Sequence, residues 1–246
     1  MTARHLRLVA VNIDGVLLND TFSPVIHRFV VGRGGRYTAE LERALFSQPQ
    51  RTAAAAAAAG CGWQASPEEL LAAYFAEREA YLRDHPVRVL DGAQRLLARL
   101  RELGVTVVCY GGLDRSHFDR HLGGLAGYFD APGYVCTDGF RPGVKEITRD
   151  IVGVRFDQAL FIDDVARVAE TARSLGAAFI GHPSPFAHGF QAEAMRRAGV
   201  RHVVRSLDAI DERLLHALDA EAAAVHRAGP GAGGTGAGFD HPVTGG

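Results

Sequence analysis

Short apolar runs alternate with helix-like segments along most of this chain, and that alternation restricts the fold more than any other feature. The runs are LRLVAVNID (Leu6 to Asp14), VTVVCY (Val105 to Tyr110), YVCTD (Tyr134 to Asp138), ALFIDD (Ala159 to Asp164) and AAFIGH (Ala177 to His182). HVVRS (His202 to Ser206) is a candidate sixth. Runs rich in Val, Ile and Phe, without polar alternation, read as strands covered on both faces. The segments between them are amphipathic. In DGAQRLLARLRELG, Leu96, Leu97, Leu100 and Leu103 share one face and Gly104 ends the helix. VARVAETARSLG repeats the pattern and stops at Gly176. The expected fold class is α/β: a doubly wound parallel sheet with right-handed crossovers. Its ligand site belongs at the carboxyl ends of the strands.

One segment interrupts the alternation. Residues from about 19 to 85 read as mainly helical and are expected to form a small helical domain inserted over the site edge, between core segments 1–18 and 86–228. Ser66-Pro67-Glu68-Glu69 is a helix start, with a capping hydroxyl, a proline and two acids near the positive end of the dipole. The alanine-rich run from Ala53 to Ala59 favours helix. The Gly-rich stretch 229–246 reads as a flexible tail. Gly231, Gly233 and Gly236 have GxGxxG spacing, but neither a strand nor a helix flanks them, so the nucleotide reading is set aside.

Lys plus Arg number 27 and Asp plus Glu 28, a net charge of -1, which argues against a nucleic-acid binder. No run is long enough to span a bilayer, and the N-terminus lacks the apolar region of a signal peptide. The three cysteines are widely spaced, which suits a reduced cytoplasm better than a disulfide scaffold.

The chemistry gathers at strand ends. Asp14 follows the first strand, and Asp163 and Asp164 end the fourth. Three carboxylates at one sheet edge repel unless a cation sits among them, and oxygen ligands select a hard ion such as Mg²⁺. The first strand ends Asn12-Ile13-Asp14-Gly15-Val16-Leu17 and the fourth Leu160-Phe161-Ile162-Asp163-Asp164, with VRVLDGAQRLLARLRELGVTVV between. From about Leu6 to Asp211 this resembles the haloacid dehalogenase superfamily, whose members are mostly phosphatases. The resemblance implies a cap domain in the helical insert and a Mg²⁺ site at Asn12, Asp14, Asp163 and Asp164. It also implies an acid nucleophile at position 12, with Asp14 as general acid and base.

Three positions depart from the family pattern. Asn12 is a neutral amide, a poor nucleophile that removes one negative charge from the metal site. Tyr110 stands where the second motif carries Ser or Thr, followed by Gly111 and Gly112, whose N–H groups could cradle an anion. Arg141-Pro142 stands for Lys-Pro of the third motif. Lys145 competes for that role, and the proline and the distance to Asp164 favour Arg141.

Two readings follow. The first is a catalytically impaired phosphatase fold that binds a phosphorylated small molecule or a protein partner. The second is an active Mg²⁺-dependent hydrolase using Asp14 or a metal-bound water. His182 reads as a loop histidine near the site. Cys109 and Cys136 read as buried thiols, Tyr74, Phe75 and Tyr81 as core, and Arg33 and Arg36 as a solvated loop within reach of an anion.

Overall fold

A computed structural model describes residues 2–228; the Gly-rich 229–246 stretch lies outside them. Five parallel strands form one sheet in the order β3-β2-β1-β4-β5. They are β1 (Leu8–Asn12), β2 (Thr106–Gly111), β3 (Tyr134–Cys136), β4 (Ala159–Asp163) and β5 (Ala178–Gly181). The order reverses between β1 and β4, so the crevice outside their carboxyl ends is the topological switch point. The segment expected to add a sixth strand makes only a single bridge, Gly181 to Val203.

Burial explains why the central runs do not alternate. All five residues of β1 are buried. Val9 and Val11 join a cluster with Leu96, Leu97 and Leu100 of helix α5 (Ala93–Glu102). Leu8 and Ala10 face the opposite side, with Val168 and Ala169 of α7 (Ala166–Leu175). A strand with helices on both faces needs apolar side chains at every position. Helix α7 stops where Gly176 turns left-handed at φ +81°.

Four helices fill the insert: α1 (Ser23–Gly32), α2 (Ala39–Leu45), α3 (Gln50–Cys61) and α4 (Pro67–Leu82). Its two ends meet in a paired neck. Leu18 bridges Val89, Asn19 N donates to the Arg88 carbonyl at 3.0 Å, and Arg88 N donates to Asn19 Oδ1 at 2.6 Å. Helix α4 opens with the capping box anticipated at Ser66: Ser66 Oγ accepts from Glu69 N at 3.2 Å and Glu69 Oε2 accepts from Ser66 N at 2.8 Å. The insert is not packed as a separate unit throughout. Leu41 and Leu45 of α2, with Phe46, share a cluster with the strand residues Ala10, Val108 and Tyr110. Among the described residues no helix is long and apolar enough to cross a membrane.

Candidate functional site

The site begins where β1 ends. After Asn12 the chain folds back tightly, with Gly15 N donating to the Leu18 carbonyl at 2.9 Å. Gly15 has φ +84°, and a Cβ there would run into the Asp164 carboxylate. The turn therefore needs glycine both for its conformation and for the close approach of β4's end.

The acids converge as the strand ends predict, and hydrogen-bond donors meet Asp163 and Asp164 there. Asn12 Nδ2 donates to Asp164 Oδ1 at 2.9 Å and to the Asp14 carbonyl at 2.8 Å. Tyr110 Oη donates to Asp163 Oδ2 at 2.5 Å, and Val165 N donates to Asp163 Oδ1 at 2.7 Å. Asp163 and Asp164 are both buried. Burial raises the Asp163 carboxyl to about 6 against the lowering pull of Tyr110 and Val165. Asp164 is held well above the usual carboxylate range by burial, then by the charges of Asp163 and Asp20. The two substituted positions, amide and phenol, thus supply hydrogen-bond donors at the points where a cation would act.

This arrangement does not suit the Mg²⁺ site expected at Asn12, Asp14, Asp163 and Asp164. Both Asp163 oxygens already accept hydrogen bonds, and Asn12 presents an N–H rather than an oxygen to Asp164. Among the described residues no three His, Cys, Asp or Glu side chains are grouped to hold a metal ion.

A cavity of about 180 Å³ lies between the strand ends and the insert. Its polar floor is formed by Asn12, Asp14, Asp20, Gly112, Arg141 and Asp164. The guanidinium of Arg141 packs so closely on Gly112 that a Cβ at position 112 would overlap it. Arg141 has no ion-pair partner among the described residues, so a cation beside a glycine backbone faces the cavity unpaired. The structure thus brings Asn12, Asp14, Gly112, Arg141 and Asp164 together.

Other expected residues sit elsewhere. The Tyr110 ring is buried against Phe161 and its hydroxyl is committed to Asp163, so it does not line the cavity. A phenol is long enough to cross from β2 to β4, which Ser or Thr would not be. Gly111 stays in the β2 ladder, and its carbonyl accepts from Thr137 N at 2.8 Å and Thr137 Oγ1 at 2.9 Å. Lys145 is exposed and absent from the cavity wall, whereas Arg141 lines it. Cys136, expected to be buried, is exposed at the end of β3, while Cys109 is buried. Arg33 pairs with Glu77 at 2.8 Å, and Arg36 is exposed. Tyr74 and Phe75 line the cavity, and Tyr81 stacks on His85 with ring centres 4.2 Å apart.

Three contributors escaped the sequence reading. His117, on α6 (Arg115–Leu122), places Nε2 2.9 Å from Asp14 Oδ1. Asp20 lines the cavity while its Oδ1 accepts from Phe22 N at 2.8 Å and Ser23 N at 2.9 Å. Gln50 Nε2 donates to the Gly112 carbonyl at 2.9 Å, tying α3 to the floor. No local motif marks any of the three.

His182 locks the turn from the far side. Its backbone N donates to the Asp163 carbonyl at 2.9 Å, and its Nδ1 meets the Gly15 carbonyl at 2.8 Å. Burial holds its pKa below the ordinary 6.5. A histidine kept neutral in the fold contributes stability above pH 6.5 that is lost as pH falls from there toward the lowered folded value. Urea titrations should therefore show stability declining over that window, with a shallower decline in His182→Gln.

No protein-family model matches the chain, and no curated protein sequence matches it. Solved structures do. A haloacid dehalogenase-like protein of unknown function from Agrobacterium tumefaciens superposes with TM-score 0.60 at 21% identity, covering 88% of this chain and 99% of that one. A haloacid dehalogenase-family hydrolase from Deinococcus radiodurans, with bound phosphate and sodium, gives 0.56 at 20%, covering 89% and 97%. A haloacid dehalogenase hydrolase from Entamoeba histolytica gives 0.62 at 15%, covering 87% and 100%.

The chain has the haloacid dehalogenase-like fold. That fold accounts for the placement of Asn12 and Asp14 after the central strand and of Asp163 and Asp164 on its neighbour. Identities this low speak to the fold and leave the activity to be argued from the site.

Proposed function

We propose that this chain is a catalytically impaired phosphatase-fold protein that binds a phosphorylated small molecule. The observation that carries the reading is Asn12. Its amide stands at the nucleophile position and is fixed by donating to Asp164 and to the Asp14 carbonyl. An amide so fixed has no charge to attack phosphorus, and both oxygens of the nearby Asp163 already accept hydrogen bonds. The unpaired Arg141 guanidinium beside Gly112 supports an anion site, because a planar fork matches phosphate oxygens.

Calorimetry with inorganic phosphate, together with phosphate release from a panel of monoesters, tests the reading. Binding without release is expected; robust release by the unaltered protein would sink it. Arg141→Met should weaken phosphate binding by about ten- to a hundredfold, the worth of a charge-assisted bond. Unchanged affinity in that variant would place the anion elsewhere.

One observation favours a second reading, a working hydrolase. His117 Nε2 and Asp14 Oδ1 are 2.9 Å apart, and Asp14 lines the cavity. An oriented carboxylate there could take a proton from an attacking water without covalent catalysis at position 12. That route requires slow turnover that disappears in Asp14→Asn.

A further inference from the structure

The cavity has two chemically different ends. Its floor carries Arg141, Gly112 and the acids; its roof belongs to the insert. Ile26 and Phe29 of α1, Phe46, Ala54 of α3, and Leu70 and Phe75 of α4 line the roof and walls, and all six are apolar. Three polar groups interrupt the apolar lining. Asp20 Oδ2, Ser47 Oγ and Tyr74 Oη are buried without partners among the described residues, and all three residues line the cavity. Ser47 adopts φ +54°, a left-handed conformation that serine rarely takes, held where the wall turns between α2 and α3.

Size narrows the choice further. At about 180 Å³ the cavity is close to the roughly 150 Å³ apolar cavity that accepts a single benzene ring. A monosaccharide is small enough, but it carries a hydroxyl on nearly every carbon. Each hydroxyl buried without a partner costs roughly tenfold or more in affinity; Asp20 Oδ2, Ser47 Oγ and Tyr74 Oη can partner some of them, and the rest meet the apolar side chains of the insert. A ring of carbon loses nothing by leaving water for such a surface.

We propose that the ligand is a phosphate monoester of a single-ring aromatic or similarly compact apolar alcohol, with its phosphate at Arg141 and Gly112 and its ring under the insert. This rests on the phosphate-binding reading of the same site and adds the class of the organic body.

Titration calorimetry of the full chain with three probes tests it: inorganic phosphate, phenyl phosphate and glucose 6-phosphate. Phenyl phosphate should bind at least about tenfold more tightly than either of the others, as burial of a ring implies. Ala54→Phe, which fills the roof, should erase that gain. If it does not fold, Phe75→Asn, at a half-buried position, should lower it instead. Glucose 6-phosphate binding as well as phenyl phosphate would overturn the inference while leaving the phosphate site standing. A phenyl gain that persists in the folded variants would also overturn it. If none of the three probes binds, the phosphate-binding reading itself fails, and this inference with it.

Discussion

Asn12→Asp should unfold about 2–4 kcal/mol more easily than the unaltered protein at pH 7 in the presence of a chelator. The exchange removes two donated hydrogen bonds, to Asp164 Oδ1 at 2.9 Å and to the Asp14 carbonyl at 2.8 Å. In their place it sets a carboxylate against a carboxyl and a carbonyl at a position only 7% exposed. For a chain of this size the loss corresponds to a melting temperature lower by roughly 5–12 °C. Added Mg²⁺ should restore much of the loss in the variant and change the unaltered protein little, because only the variant offers the extra oxygen charge. Urea titrations with and without Mg²⁺ are the check. A variant as stable as the parent under chelation would mean that the amide is not what holds the acids together. The same preparation, assayed for phosphate release, shows whether the rest of the site can still support turnover.

The second large effect concerns how the insert is held. Glu42 of α2 is only 1% exposed and has no ion-pair partner among the described residues. Its carboxylate accepts from Tyr37 Oη at 2.7 Å, Gln191 Nε2 at 2.7 Å and Phe190 N at 2.9 Å. Gln191 in turn accepts from Ala166 N at 2.8 Å, at the start of α7. One side chain therefore links the insert to the loop before α8 (Gln191–Arg197) and, through Gln191, to the helix that follows β4. Glu42→Ala leaves three donors unpaired, Gln191 buried and Tyr37 and Phe190 half-buried, and should cost about 3–5 kcal/mol. Burial raises the Glu42 carboxyl despite these donors. A raised acid contributes most below its unfolded value and loses that contribution as pH climbs through the folded one. Glu42→Gln, which keeps an acceptor and removes the buried charge, should accordingly cost less than Glu42→Ala at pH 7. Equal losses in the two variants, measured by denaturant unfolding, would contradict the network account.

Much of the architecture was legible because burial on two faces leaves a strong signal. Leu8 to Val11 is an apolar run where helices cover both sides of the sheet, so it stands out without any partner being known. The glycine stops at Gly104 and Gly176 and the Ser66 capping box were equally plain, since each is decided within one helical turn. HVVRS misled because an apolar run of strand length carries no mark of whether a neighbour will pair with it. Only one bridge forms there, at Val203.

The site divides along the same line. Sequence placed Asn12, Asp14, Asp163 and Asp164 at strand ends, and parallel pairing then brought those ends together. It placed Tyr110 there too, at the end of the second strand, and the sheet register sets it opposite Asn12. It could not say that the phenol would reach Asp163 rather than a ligand, because that depends on the lateral order of three strands. The same holds for His117 against Asp14, 103 residues apart, and for the apolar roof over a polar floor. Local spacing and periodicity are short-range physics, and they determined the strands, the helices and which acids lie at the sheet edge. What those acids meet, and what fills the space above them, was decided only when distant segments packed. Hydrogen-bond satisfaction and cavity shape are properties of the packed whole.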